Sequence, residues 1–176
     1  MWFLEDSPTI TDQIRKLISQ RTVQVIIVSI STLLLCQLLK FIFISIKEKK
    51  PVWYILASTG GFPSSHTAFV VSLDISLLIL QLRIDGRLDW SFAVAVVFSI
   101  IVIHDAMGVR LEASKHARIL NRFAEHLTEE EKTELGYGKK GRLKEMLGHR
   151  SWEVLGGLFV GIIGGTVGSL IYILIW

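Results

Sequence analysis

Residues 152–176 read WEVLGGLFVGIIGGTVGSLIYILIW, an apolar run in which Glu153 carries the one charged side chain. A helix needs about 20 mostly apolar residues to cross a bilayer, and this run is long enough. Two further runs, from Val23 to Ile46 and from Trp90 to Met107, have the same character. None of them alternates polar and apolar residues, so helices are favoured over barrel strands. The sequence therefore predicts an all-α integral membrane protein.

The composition points to lipid rather than water as the main solvent. Hydrophobic residues make up 51% of the 176 positions, more than a soluble domain of this charge content carries. The single cysteine, Cys36, lies inside the first apolar run, which excludes a disulfide-stapled secreted scaffold. The N-terminus is acidic and polar, so no cleavable signal peptide is expected. The net charge of +3 comes from basic residues between the runs, which favours membrane orientation and phosphate binding over nucleic acid as their role.

Four transmembrane helices are predicted within a single membrane domain that covers residues 1–176. They span about residues 23–46, 67–82, 90–108 and 152–175, and a helical segment at 109–151 joins the last two. Four spans place the first and third connecting segments on the same side of the membrane. That side carries 13 of the 19 lysines and arginines, against 5 on the other side. By the positive-inside rule the segment at 109–151 is expected to face the cytoplasm.

The segment between the third and fourth spans has a helical pattern of its own. Apolar residues recur at helical spacing from Val109 to Leu127, with basic residues on the other faces. This pattern indicates either a continuation of the third span or an interfacial helix. Thr128 followed by Glu131 is a capping-box pattern, which predicts a second short helix that ends near Gly136 and Gly138.

Ionisable side chains within apolar spans are costly and mark polar sites or cavities. Here they are Lys40, Asp74, His104 and Asp105. All but Asp74 lie near the cytoplasmic ends of their spans, where they can converge beside the basic loops. The alternative for Lys40 is that its ammonium group snorkels to the lipid headgroups. For Asp74 the alternative is a hydrogen-bonded packing contact between helices.

Two loop segments carry residues suited to phosphate chemistry. The first, GGFPSSH at residues 60–66, places glycines, a proline and two serines before the second span. Free N–H groups at a helix N-terminus suit an anion, and the hydroxyls of Ser64 and Ser65 either add donors or cap the helix. His66 lies at the first helical turn, beside this anion pocket.

The second segment, LGHRSWE at residues 147–153, opens the fourth span. His149 and Glu153 are four residues apart and therefore stack on one helix face. The carboxylate can fix the tautomer of the imidazole and leave its other nitrogen free to attack. The alternative is a surface pair that contributes little to stability.

Between these segments lie further charged residues, namely Asp105, Arg110, Lys115 and Lys144. The guanidinium of Arg110 fits two phosphate oxygens, and the lysines can neutralise others. Two histidines with cations on one membrane face favour phosphoryl transfer, with one histidine as nucleophile and one as acid. A metal site with His66, His149 and Asp105 as ligands stays open, although no cysteine cluster or HExxH pattern supports it.

These residues resemble a known superfamily, the type 2 phosphatidic acid phosphatases, which includes vanadium haloperoxidases. The resemblance is closer to its divergent branch, the small membrane proteins called acid phosphatase/vanadium-dependent haloperoxidase-related. That branch reads GG-x-PSSH, then D-A-x-G-V-R, then L-K-E-x-L-G-H-x3-E-V. This chain has all three motifs in order, at Gly60–His66, Asp105–Arg110 and Leu143–Val154, with Gln37–Lys40 before them.

The resemblance implies metal-free hydrolysis without a cofactor. It implies that His149 is the nucleophile that forms a phosphohistidine, that Glu153 orients it, and that His66 protonates the leaving oxygen. Phosphate would be bound by Ser64, Ser65 and Lys40. By their position, Arg110, Lys115 and Lys144 would replace the cations that the superfamily motifs carry and this chain lacks. Asp105 would have a supporting role. The chain departs from the superfamily in having Leu143 where an arginine is usual, Glu for Asp, and four spans for six.

Three functional hypotheses follow. The first is a membrane phosphatase for a lipid phosphate monoester, of the phosphatidylglycerophosphate or phosphatidate type, acting at the cytoplasmic face; a prenyl diphosphate would suit the same pocket. The second is a non-catalytic membrane protein or scaffold that binds anionic headgroups. The third is a small transporter using Lys40, Asp74 and Asp105 as a polar path. The expected partners are the lipid phosphate and membrane lipids, and no nucleic acid.

The fourth span carries glycines at four-residue spacing, Gly157, Gly161 and Gly165. Such a stripe lets two helices approach closely. The partner helix lies either within the same bundle or in a second copy of the chain. Packing within the bundle is favoured because His149, at the head of this helix, must meet His66 on another.

Overall fold

The structure is a computed structural model that describes residues 9–11, 16, 20–58, 60–137, 142–143, 145 and 148–175. Its regular elements are six α-helices, a 3₁₀ turn at Trp53–Ala57 and a π-type turn at Gln81–Asp85. The helices are α1 (Arg21–Glu48), α2 (Ser65–Leu80), α3 (Trp90–Met107), α4 (Val109–Ala124), α5 (Glu129–Glu134) and α6 (Ser151–Ile175). The described part of the chain contains no β-strand, so the all-α prediction is confirmed.

Four helical stretches are long and apolar enough to cross a membrane. They are Arg21–Glu48, Ser65–Asp85, Trp90–Ala124 and Ser151–Ile175. Each of them contains or overlaps one predicted span. The second begins at Ser65 rather than at residue 67, because Ser64 is the N-cap and its side chain accepts the Thr67 N–H.

The third and fourth helices meet at a sharp break. Gly108 ends α3 with φ −98° and ψ −97°, and α4 starts at the next residue. A Cβ at this position would lie 3.0 Å from the carbonyl oxygen of His104, so the turn is closely packed. Segment 109–124 is therefore a separate helix that follows the third span directly. The capping box that opens α5 is present as predicted, between Thr128 and Glu131, whereas Gly138 lies outside the described residues.

Helix α2 lies at the centre of the bundle and packs against α1, α3 and α6. Small residues recur every four positions on both α2 and α6, so the two backbones come together along their length. A Cβ on Gly161 would lie 2.9 Å from the carbonyl oxygen of Ala68, and one on Gly165 would lie 2.9 Å from that of Ser72. A Cβ on Gly157 would overlap the carbonyl oxygen of Ser64. This packing brings the start of α6 against the start of α2.

The glycine stripe is thus filled by a helix of the same chain. A second set, Gly164 and Gly168, packs against the side chains of Thr32 and Val28 of α1. The sequence left open a homodimer through the face of Gly157, Gly161 and Gly165, but α2 occupies that face. A dimer would need another surface.

Candidate active site

Two backbone hydrogen bonds tie the three sequence motifs together at one end of the bundle. The N–H of Ser64 donates to the carbonyl oxygen of Glu153 at 2.9 Å. The N–H of His149 donates to the carbonyl oxygen of Ala106 at 2.9 Å, which satisfies a carbonyl in the last turn of α3. Motifs far apart in the sequence therefore meet through the backbone itself.

His149 is held in place from several sides. Its side chain is 2% exposed, and its Nδ1 lies 3.2 Å from the Oε2 atom of Glu153. The same carboxylate oxygen accepts the N–H of Arg150 at 3.1 Å, so it is fixed as well. With Nδ1 engaged, Nε2 on the opposite edge of the ring is the atom left for chemistry.

Because residue 148 is a glycine, the backbone that precedes His149 can lie against the break between α3 and α4. Its φ is +75°, in the left-handed region that favours glycine. A Cβ here would overlap the backbone nitrogen of Leu111 and come within 2.7 Å of the carbonyl carbon of Arg110. The backbone of Gly148 is consequently constrained, as the side chain of His149 is.

His66 faces His149 across a small cavity. The centroids of the two rings are 6.0 Å apart, and both rings belong to the lining of the same cavity. The cavity, called here the histidine cavity, has a volume of about 270 Å³. Its lining consists of His66, Ile101, Val102, Asp105, Ala106, Arg110, Gly148 and His149.

Arg110 and Asp105 form the charged part of this lining. The Nε of Arg110 donates to Oδ2 of Asp105 at 2.5 Å, and both side chains are partly exposed. Arg110 is the one cation among the described lining residues, and the pair leaves its terminal guanidinium nitrogens for another anion. The sequence-predicted residues His66, His149, Glu153, Asp105 and Arg110 are therefore brought together.

The two serines of the first motif are buried. The Oγ of Ser64 accepts from the backbone N–H of Thr67 at 3.3 Å and from the Thr67 hydroxyl at 2.9 Å. This is the capping role that the sequence left open beside phosphate binding. Neither Ser64 nor Ser65 is part of the lining of the histidine cavity.

The lysines that the sequence predicts as phosphate ligands do not lie at the histidine cavity. In the described part of the chain, no lysine belongs to its lining. Lys40 is fully buried, with Nζ 3.5 Å from the carbonyl oxygen of Ser58, so snorkelling to the headgroups is excluded. Lys115 is exposed and pairs with Glu112 at 2.6 Å. Lys144 lies outside the described residues.

Asp74 lies in α2, two turns beyond His66, and outside the lining of the histidine cavity. Its Oδ1 is buried without a hydrogen-bond partner among the described residues, and Ser99 of α3 donates to the carbonyl oxygen of Val70 at 3.4 Å. Within the described residues, no three side chains of His, Cys, Asp or Glu lie close enough together to hold a metal ion. The set of His66, His149 and Asp105 is therefore not arranged as metal ligands.

Sequence reasoning missed a second cavity on the other side of Gly148, called here the basic cavity. It has a volume of about 320 Å³ and includes Lys115, Arg118, Arg150 and Glu153. From the sequence, Arg118 and Arg150 are two of the 13 basic residues that indicate the topology, without a role in a site. The position of Arg150, next to His149, was the one available hint of a site role.

Asn121 was also missed, although it fixes the chain that leads to His149. It is almost fully buried, and its amide nitrogen donates to the Leu143 carbonyl at 2.9 Å and to Oε1 of Glu145 at 2.7 Å. Its amide oxygen accepts the Leu143 N–H at 2.8 Å and the Tyr137 hydroxyl. Asn121 is the one asparagine in a helix of mixed apolar and charged residues, and it gives no signal of this role in the sequence.

Comparison with known proteins identifies the family of the chain. An uncharacterized membrane protein of Bacillus subtilis (strain 168), YuiD, is 34% identical over 142 residues, which are 77% of this chain and 87% of that protein. No solved structure matches the chain. With its four apolar helices, the chain is a multi-pass integral membrane protein. The model of the Divergent PAP2 family matches residues 21–164, which include all three motifs up to Val154, and the chain belongs to that family.

Proposed function

We propose that the protein is a membrane phosphatase that hydrolyses a lipid phosphate monoester through a phosphohistidine, without a metal. One observation carries the proposal. A buried histidine, oriented by a carboxylate at 3.2 Å, faces a second histidine across a cavity that also holds an arginine. A nucleophile with an orienting group and a separate acid is the arrangement that covalent catalysis requires.

The reaction takes place in two steps. In the first, Nε2 of His149 attacks phosphorus, the P–Nε2 bond forms and the ester P–O bond breaks, while His66 protonates the departing lipid oxygen. In the second, His66 takes a proton from water as the water oxygen attacks phosphorus. The P–Nε2 bond then breaks, inorganic phosphate leaves and both histidines return to their starting states.

The remaining residues stabilise the charges that develop during the reaction or hold the reacting groups in position. Glu153 holds Nδ1 and stabilises the positive charge that develops on the ring of His149. Arg110 binds the phosphoryl oxygens through its terminal nitrogens, with Asp105 holding its Nε in place. Lys40, Ser64 and Ser65 support the loop beneath the site, since each is buried outside the histidine cavity.

The proposed site faces the cytoplasm, and the support for this orientation is that the third connecting segment carries most of the basic residues. A site there meets newly made phospholipid monophosphates. A phosphatidylglycerophosphate or phosphatidate type of substrate fits this location.

The test is inorganic phosphate release by purified protein in detergent, with a chelator present. Phosphatidylglycerophosphate, phosphatidate and a prenyl diphosphate are the substrates, and wild type is compared with His149→Ala. Chelator-resistant release that the mutation reduces by about a hundredfold or more supports the proposal. Release that stops with chelator, or that persists in folded His149→Ala, contradicts it.

A second candidate is a non-catalytic protein that binds anionic headgroups. The observation in its favour is that Arg110, the cation of the histidine cavity, is paired with Asp105. This candidate predicts that folded wild-type protein binds anionic lipid vesicles and releases no phosphate from any of the three substrates.

A further inference from the structure

The basic cavity differs in character from the histidine cavity, although the two are neighbours. Gly148 belongs to the lining of both. Glu153, which orients His149, lines the basic cavity, whereas His149 lines the histidine cavity. The two cavities therefore adjoin at Gly148 and at the His149–Glu153 pair.

Positive charge is concentrated in the basic cavity. Its lining includes three cations, Lys115, Arg118 and Arg150, and two carboxylates, Glu145 and Glu153. The backbone of Gly60 and Gly61 forms a further part of the wall, and Lys40 lies behind Gly61 with its aliphatic chain against it.

Both carboxylates of this lining have partners. Glu153 accepts from His149 and Arg150, and Oε1 of Glu145 accepts from Asn121 at 2.7 Å. Arg118 forms an ion pair with Glu145, but the 3.8 Å between Nε and Oε2 is too long for a hydrogen bond, so the Arg118 N–H donors stay available. Lys115 pairs with Glu112 at 2.6 Å, whereas Arg150 has no ion pair with any described residue. An anion in this cavity would therefore find the side-chain donors of Arg118 and Arg150, which the protein does not itself use.

We infer that the basic cavity binds a second phosphate group of the substrate whose terminal phosphate is hydrolysed in the histidine cavity. This inference rests on the proposed function, and it names the substrate class as a lipid with two phosphates. Such a lipid carries either a phosphodiester beside a terminal monoester or a diphosphate. A lipid with one phosphate leaves the cations of the basic cavity without a ligand.

Kinetics on matched substrates test this inference. Arg118→Gln with Arg150→Gln removes two cations, and Arg122→Gln, an exposed arginine of α4 outside both cavities, is the control. The measured quantity is the ratio of kcat/KM for phosphatidylglycerophosphate, or for a prenyl diphosphate, to kcat/KM for phosphatidate. The double variant is expected to lower the ratio by about tenfold or more, as the loss of charge-assisted hydrogen bonds implies. The control is expected to keep it.

The two-phosphate substrates separate the sources of the second phosphate. A ratio that falls only for phosphatidylglycerophosphate assigns the cavity to a phosphodiester, and one that falls only for the prenyl diphosphate assigns it to a diphosphate. A ratio unchanged for both, or a wild-type enzyme that prefers phosphatidate, overturns the inference.

Binding separates this inference from the proposed function. Calorimetry with inorganic pyrophosphate and inorganic phosphate is carried out on the His149→Ala protein, with and without the two arginine substitutions. A preference for pyrophosphate that the substitutions abolish supports the basic cavity, even if no substrate is hydrolysed. Equal affinity for the two anions contradicts it, whether or not the wild type is a phosphatase.

Discussion

At the residue scale, Glu153 has two functions, one carried by its side chain and the other by its backbone. Its carboxylate accepts from His149 and from the Arg150 N–H, and its carbonyl oxygen accepts the Ser64 N–H. The first two contacts orient the nucleophile, and the third ties α6 to the first motif. The two carboxylate contacts depend on the charge of the side chain, whereas the backbone contact does not.

Replacement of Glu153 separates charge from shape. Glu153→Gln is expected to lower kcat by about a hundredfold or more with little change in KM, because the neutral amide no longer stabilises the positively charged ring. Glu153→Asp keeps the charge on a shorter chain and should recover part of the loss. Steady-state kinetics on the preferred lipid phosphate measure both, and a kcat of Glu153→Gln equal to that of wild type would count against the orienting role.

Gly148 offers a second test at the same scale. Gly148→Ala is expected to destabilise the protein by about 1–2 kcal/mol through its φ of +75°, and by about 1–3 kcal/mol more through overlap with the backbone at Arg110 and Leu111. Gly136→Ala is the matched control, since its φ is +67° and nothing lies within 4 Å of the added Cβ. Thermal unfolding in detergent gives both values, and equal loss in the two variants would refute the close approach at Gly148.

At the element scale, the pairing of α2 with α6 positions the site. The glycines of α6 lie over carbonyl oxygens of α2 at successive turns, from Ser64 to Ser72. This register fixes the start of α6, and with it His149, against the start of α2, which carries His66. The catalytic geometry is therefore a consequence of small-residue packing deeper in the bundle.

Enlargement of Gly161 should disrupt that pairing. Gly161→Leu places a large side chain against Val71 and the carbonyl of Ala68, and we expect a loss of at least about 1–3 kcal/mol from overpacking together with reduced activity. Val167→Leu, on an exposed face of the same helix, is the control and should unfold at the wild-type temperature. Wild-type stability of Gly161→Leu would contradict the packing.

Helix existence and motif order were predictable from the sequence, whereas the direction of individual side chains was not. Apolar length locates the spans, because it is a property of local sequence. It does not give the start of α2, which the Ser64 cap moves from the predicted residue 67 to Ser65. Whether Lys40 reaches the headgroups or stays buried depends on how α1 is rotated against its neighbours. The pairing of Lys115 with Glu112, and the basic cavity itself, depend in the same way on the break at Gly108.

At the scale of the whole molecule, the orientation in the membrane rests on the basic residues of the connecting segments. Cysteine labelling can test it, because the native Cys36 is fully buried and should not react. In intact cells, a membrane-impermeant maleimide is expected to label Arg87→Cys, in the exposed turn before α3. It should label Glu130→Cys, in α5, only after permeabilisation. The reverse pattern would place the site on the outer face.

The proposed mechanism requires that His149 becomes phosphorylated during turnover. The most direct measurement is rapid acid-free quenching of the protein during hydrolysis of its lipid phosphate, followed by mass spectrometry of the peptide that contains His149. We expect one phosphoryl group on His149 that is stable to base and labile to acid, and none in His149→Ala. Turnover without any phosphoryl group on His149 would contradict the mechanism.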